Sequence, residues 1–156
     1  TESSDETEHN LKDREYFPKL ISGQEVFGDL VISKATGHRS VIVAVPVRSQ
    51  EKVVAAVGVS LRVRLLSELV DKDLRLPENA YFYALEQDTR IALHHRTERM
   101  FKTPSDVGDE ALGEEFKQQL KADQGSFEYQ LQGKKIATIF ERSPKLGWYF
   151  FIAKEV

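Results

Sequence analysis

The segment Asp13-Arg14-Glu15-Tyr16-Phe17 sets a guanidinium next to two aromatic rings. A planar Arg fork grips a carboxylate through two parallel hydrogen bonds, and ring walls that keep water away strengthen them. That chemistry suits the capture of a small anionic metabolite. Read on the residues alone, the same stretch also allows Arg14 to pair with Asp13 or another acid while Tyr16 and Phe17 serve as core.

Other groups point to less. His94 and His95 adjoin on an expected strand, where alternation sends their side chains to opposite faces, so they read as exposed or edge histidines and not as a metal pair. His9 and His38 lie in polar, turn-like sequence without a spaced partner. Gly58-Val59-Ser60 begins like a nucleophile elbow, but Arg62 stands where that motif needs glycine. No phosphate loop or dinucleotide fingerprint occurs, because the nine glycines are scattered as turn residues. Glu114-Glu115 falls on the polar side of a helix, where solvation is the default. These residues call for no catalytic centre, cofactor or metal.

The 156 residues, 40% of them hydrophobic, are enough for one ordinary domain or two small modules. The 22 basic and 25 acidic residues are interspersed and leave a formal charge of −3, so no basic face suited to nucleic acid is expected. No apolar stretch reaches the roughly 20 residues that cross a bilayer, and Thr1 to His9 are polar and acidic, unlike a signal peptide. Either the protein is soluble throughout or a membrane anchor lies outside these residues. The lack of cysteine excludes disulfides and suits an oxidising compartment.

Residues 1 to 12 read as a solvated leader. Asp13 to Ile21, broken by Pro18, reads as a short turn-rich element that could close over a pocket. Strands are expected at Leu30 to Lys34, Ser40 to Arg48 and Lys52 to Ser60, with turns at Thr36-Gly37 and Ser49-Gln50-Glu51. From 61 to 74 the period changes to that of an amphipathic helix, with Leu65, Leu66, Leu69 and Val70 on one face and Pro77 at the far limit. Strands at Tyr81 to Glu86 and Thr89 to His94 follow, joined at Gln87-Asp88. Asp109 caps a helix to about Lys121 with Leu112, Phe116 and Leu120 on one face. Three more strands are expected: one with Phe127, Tyr129 and Leu131 alternating, then Ile136 to Glu141 after a Gly133-Lys134 turn, then Trp148 to Ala153, whose aromatics should be core.

A helix between the second and third of five strands is the PAS-like order, filled by residues 79 to 154. The first half supplies only the last three strands of such a unit. The expected class is therefore α+β, an antiparallel sheet flanked by helices, with one complete module preceded by the C-terminal part of another. Boundaries of 1–74, including the connecting helix, and 75–156 follow. A single larger mixed sheet is the competing layout.

The run Asp13-Arg14-Glu15-Tyr16-Phe17-Pro18, then Gly28-Asp29-Leu30-Val31-Ile32-Ser33, Thr36-Gly37, Val45-Pro46-Val47 and Val57-Gly58-Val59-Ser60, resembles the central part of Cache sensor domains. Tyr81-Phe82-Tyr83-Ala84-Leu85 and Gly147-Trp148-Tyr149-Phe150 resemble the opening and closing strands of the membrane-proximal module of that family. The similarity spans residues 13 to 152. It implies a periplasmic part of a bacterial inner-membrane chemoreceptor, histidine kinase or cyclic-di-GMP enzyme that senses a small molecule and is not itself an enzyme.

By that resemblance Arg14 contacts the ligand carboxylate or an equivalent acceptor, and Tyr16 and Phe17 form the pocket wall. Asp29 approximates an acidic pocket residue that amino-acid sensors place after a Tyr, where this chain has Phe27. Ser60 stands where those sensors carry an Asp that neutralises the ligand ammonium. A hydroxyl has no such charge, which points away from α-amino acids and toward a short carboxylate or an uncharged metabolite. The rival within the same fold is a ligand-free spacer or dimerisation module, and a homodimer is compatible with either reading.

Overall fold

The computed structural model describes residues 10–33 and 36–156. His9, most of the expected leader and the end of the expected strand at Lys34 lie outside the described residues. The chain divides into two compact units, Thr1–Arg62 and Val63–Val156.

The first unit holds helix α1 (Phe17–Ile21) and the antiparallel strands β1 (Val26–Ile32), β2 (Arg39–Ser49) and β3 (Lys52–Arg62), in the order β1-β2-β3. Pro18 does not break α1. It occupies the helix's first turn, where its missing N–H costs nothing and its fixed φ favours the helix. Strand β1 starts earlier than expected, because a bulge between Phe27 and Asp29 interrupts the alternation. Gly28 sits there at φ 89°, a conformation open to glycine without strain. Strands β2 and β3 join through a two-residue turn in which Gln50 and Glu51 both take positive φ, the tight geometry that matches strand twist. Tyr16, Leu20, Val26, Ile42 and Ala44 form this unit's buried cluster.

The second unit opens with helix α2 (Val63–Leu74), two residues later than expected because β3 runs through Arg62. Its inward residues are Val63 and Ser67, with Leu66 and Val70 half-buried, whereas Leu65 and Leu69 are exposed. The inward stripe thus follows the i, i+3, i+4, i+7 rule one step away from the expected face. Then come β4 (Ala80–Leu85), β5 (Ile91–His94), a single 3-10 turn at Thr97–Arg99, α3 (Pro104–Val107), α4 (Glu110–Gln119), β6 (Gln124–Leu131), β7 (Lys134–Arg142) and β8 (Tyr149–Glu155).

The five strands lie in the order β5-β4-β8-β7-β6, all antiparallel, which is the expected PAS-like arrangement. Asp109 caps α4 by accepting the Leu112 N–H at 2.8 Å, and Leu112, Phe116 and Leu120 are buried. The aromatic core includes Phe116, Tyr129, Phe140, Tyr149 and Phe151. Tyr149 ties β8 to the end of α4 by donating its hydroxyl to the Leu120 carbonyl at 2.7 Å. Trp148 and Phe151 are buried as expected, and Phe150 is half-buried. The β6–β7 turn is Gln132-Gly133, one residue before the expected pair, with positive φ at both positions.

Candidate functional site

In the first unit, Ile42 pairs with Ser60 and Ala44 with Gly58 across β2 and β3, so the four residues share one face of the sheet. Leu20 and Tyr16 come over that face from the α1 segment, and Arg14 lies just before it. Together they border an open cavity of about 300 Å³, at the lower bound of the range typical of small-molecule pockets. Its floor is apolar, with Ile42, Ala44 and Val31, and its polar groups are Arg14, Tyr16, Ser33 and Ser60. Gly58 keeps the floor low: a Cβ there would meet the Ala44 Cβ at 3.0 Å.

Arg14 is held by a local turn, in which its N–H donates to the Leu11 carbonyl at 3.1 Å and its own carbonyl accepts the Phe17 N–H at 2.9 Å. The half-buried side chain donates from Nη2 to the Ile32 carbonyl at 2.9 Å. That bond fixes the guanidinium at the end of β1 and engages one of its five N–H donors. Among the described residues no carboxylate lies within ion-pair distance of Arg14. Tyr16 is 7% exposed and packs with the cluster beneath α1.

The five residues singled out from sequence divide in two. Arg14, Tyr16 and Ser60 line the cavity; Phe17 and Asp29 do not. Phe17 opens α1 and is half-buried. Asp29, re-aimed by the bulge at Gly28, has its carboxylate 3.1 Å from the Lys19 ammonium. Ser33 and the floor residues Ile42, Ala44 and Gly58 also line the cavity and are not among those five. Strand alternation through β2 and β3 carries the signal for the floor, because every second residue there is apolar or small.

His94, expected to be exposed or at an edge, is on edge strand β5 but only 3% exposed. The alternation expected across His94 and His95 lapses because β5 ends at His94, and the two rings lie 4.5 Å apart between centroids. No group of three or more potential metal ligands occurs among the described residues. No described helix is long and apolar enough to cross a membrane.

The Cache domain family model matches residues 2–156. Among solved structures, the chain is similar to the ligand-binding domain of the Pseudomonas aeruginosa PAO1 amino acid chemoreceptor PctB in complex with L-Arg. That match has a TM-score of 0.76 and 20% identity, and covers 96% of this chain and 62% of that one. It is also similar to the ligand-binding domain of the Pseudomonas fluorescens chemoreceptor CtaA in complex with L-serine, with a TM-score of 0.73, 16% identity and coverage of 94% and 62%. The ligand-binding domain of Mlp24 with asparagine matches at a TM-score of 0.65 and 18% identity, covering 97% of this chain and 61% of that one. The chain therefore spans about three fifths of the length of these solved domains. No curated protein matches it significantly in sequence.

Proposed function

Because the chain belongs to the Cache domain family, we propose that it is the extracytoplasmic sensing part of a membrane receptor, with the first unit as its ligand-binding, membrane-distal module. The second unit takes the membrane-proximal place. The observation that carries this reading is the cavity of about 300 Å³ where Arg14, free of any described acid partner, meets Tyr16 and Ser60 above an apolar floor.

The ligand we infer is a small carboxylate. Arg14 supplies the fork for its oxygens, Tyr16 shields that contact from water, and Ile42 and Ala44 receive an apolar body. The amino acids bound by PctB and CtaA carry such a carboxylate, but they also carry an ammonium. Ser60 offers that ammonium no charge, and Asp29 is engaged by Lys19 outside the cavity wall. A carboxylate lacking the ammonium is favoured on these grounds. Phe17 and Asp29 then act indirectly, by holding the segment that bears Arg14 and the strand beneath it.

Ser60 is two residues from the end of β3, and β3 passes without a break into α2. A ligand preferred by one arrangement of the Arg14 segment would bias that helix, and about 1–3 kcal/mol of coupling is enough to alter an output. Nothing in this scheme requires catalysis by the domain.

Calorimetric titration with a panel of short carboxylates and amino acids tests the assignment. For the tightest binder, Arg14→Ala should weaken affinity by about one to two decades, the worth of a charge-assisted contact of roughly 1.5–3 kcal/mol. Unchanged affinity would remove Arg14 from the site. One observation favours the ligand-free spacer reading: Val57, Val59 and Leu61 of β3 are 62%, 55% and 45% exposed, an apolar surface of the kind that interfaces use. Silence across the whole panel would favour that reading.

A further inference from the structure

In the second unit, His94 and Arg99 are buried, and among the described residues the contacts of their ring Nε2 and guanidinium are long, at 3.5 and 3.4 Å. His94 ends β5, and its Nδ1 accepts the Arg96 backbone N–H at 2.9 Å. Burial, reinforced by the positive charges of Arg99 and Arg96 and by His95, depresses its pKa from 6.5 to about 2, so the ring is neutral. A neutral imidazole has one donor and one acceptor nitrogen. With Nδ1 accepting, the proton must sit on Nε2.

That assignment changes the meaning of the neighbouring contact. His94 Nε2 lies 3.5 Å from Arg99 Nη1, and two N–H groups facing each other at that distance make no hydrogen bond. Arg99 is itself only 9% exposed. Its Nη2 reaches Gln132 Oε1 at a long 3.4 Å, and no described carboxylate lies within ion-pair distance. A buried guanidinium served by one distant neutral acceptor is costly, and an anion at this point would offset that cost.

There is room for one. Arg99, Tyr81 and Leu131 border both an inner cavity of about 30 Å³, which His94 also lines, and an outer cleft of about 480 Å³. A water needs roughly 10–15 Å³ by this measure, so the inner space accepts one or two atoms such as carboxylate oxygens, and a tetrahedral phosphate is too large for it. The cleft presents Arg75, Arg96, Arg99 and Lys134 against Asp71, Glu78 and Glu155, with the Glu155 carboxylate 2.8 Å from the Lys134 ammonium. That balance admits a monoanion more readily than a dianion.

We propose that the second unit has its own anion site, where a small organic carboxylate enters the outer cleft and directs its headgroup to the Arg99 guanidinium and the His94 Nε2–H. Tyr81 and Leu131 then flank the apolar part of the ligand. This site does not depend on the one at Arg14, and the two can succeed or fail separately.

The test is NMR on the whole 15N-labelled chain, reading the Arg99 Nε–Hε and His94 ring signals. Long-range spectra of the free protein should show the Nε2–H tautomer at His94; the Nδ1–H tautomer would overturn the premise without any variant. Titration with sodium acetate should shift the Arg99 Nε–Hε signal to saturation. Parallel titrations with sodium chloride and inorganic phosphate should give only the weak, linear drift of screening. No acetate response, a linear one, or equal saturation by chloride or phosphate would refute the carboxylate site. Arg99→Lys, which keeps the charge and loses the fork, should weaken acetate at His94 by roughly tenfold.

Discussion

Strands β1-β2-β3 and β6-β7-β8 are the same antiparallel meander, yet their last strands meet opposite fates. Strand β8 is flanked by β7 and β4, and its alternate residues Tyr149, Phe151 and Ala153 are 5%, 1% and 0% exposed. Among the described residues strand β3 pairs only with β2, and ten of its eleven residues are exposed despite four valines. Composition makes a strand apolar, but neighbours on both edges and a helix on a face make it core. The comparison also separates two kinds of pocket. The open floor of the first unit leaves about 300 Å³ beside Arg14, whereas the ring-packed core of the second leaves about 30 Å³ beside Arg99.

The strongest way to break this contrast is to remove a ring from β8, the strand flanked on both edges. Phe151 stacks on Tyr83 with centroids 4.5 Å apart and touches Phe116 and Phe140 as well. Phe151→Ala should cost about 3–5 kcal/mol, because the close-packed rings cannot collapse into the space. Denaturant unfolding, with hydrogen exchange to locate the loss, reads it. A loss under 1 kcal/mol would mean that the second core is loosely packed, and the contrast would vanish.

What could be read from the sequence divides along the same physical line. Turns and regular periods depend on local chemistry, so the five-strand order, the Asp109 cap and the Leu112, Phe116, Leu120 stripe were all legible. The start of β1 was not, because Gly28 puts a bulge into the alternation and only the stretch after it reads as a strand. For α2, Leu65 and Leu69 are as apolar as the residues that turn inward, and tertiary cover decides between them. At the cavity, Arg14, Tyr16 and Ser60 were chosen by motif and line it, whereas Asp29 is carried away by that same bulge. Arg99 was not singled out from sequence, where it stands beside the charged Arg96 and Glu98, and only the fold buries it.

A second, smaller effect sharpens the contrast through pH. His38 of the first unit is exposed, while His94 of the second is buried with its pKa lowered by burial from 6.5 to about 2. Between those values the unfolded chain holds a proton that the folded one refuses, so stability rises with pH and falls on acidification below about 6.5. From pH 7 to pH 5 His94 should account for a loss of about 2 kcal/mol. His94→Gln should remove that part of the slope whatever it does to stability at neutral pH. Unfolding free energies for both proteins across this range give the difference, and parallel curves would show that the folded state takes up the proton after all.

The smallest expected effect is at the counterpart of the buried strand. Val57 on β3 is 62% exposed and makes its ladder pair with Val45, itself 39% exposed. A lysine there loses little burial and can lay its stem along the neighbouring valines, so Val57→Lys in this 156-residue chain should change stability by no more than about 0.5 kcal/mol. The same charge on β8 would be placed among rings. The substitution also bears on association, since a charge on an apolar edge strand opposes pairing with another chain. Sedimentation of the two proteins at matched concentration, alongside their unfolding curves, separates the effects. A loss of 2 kcal/mol or more together with a shift to monomer would mean that β3 is covered by a second copy of the chain, and the difference between the two sheets would then belong to the isolated chain alone.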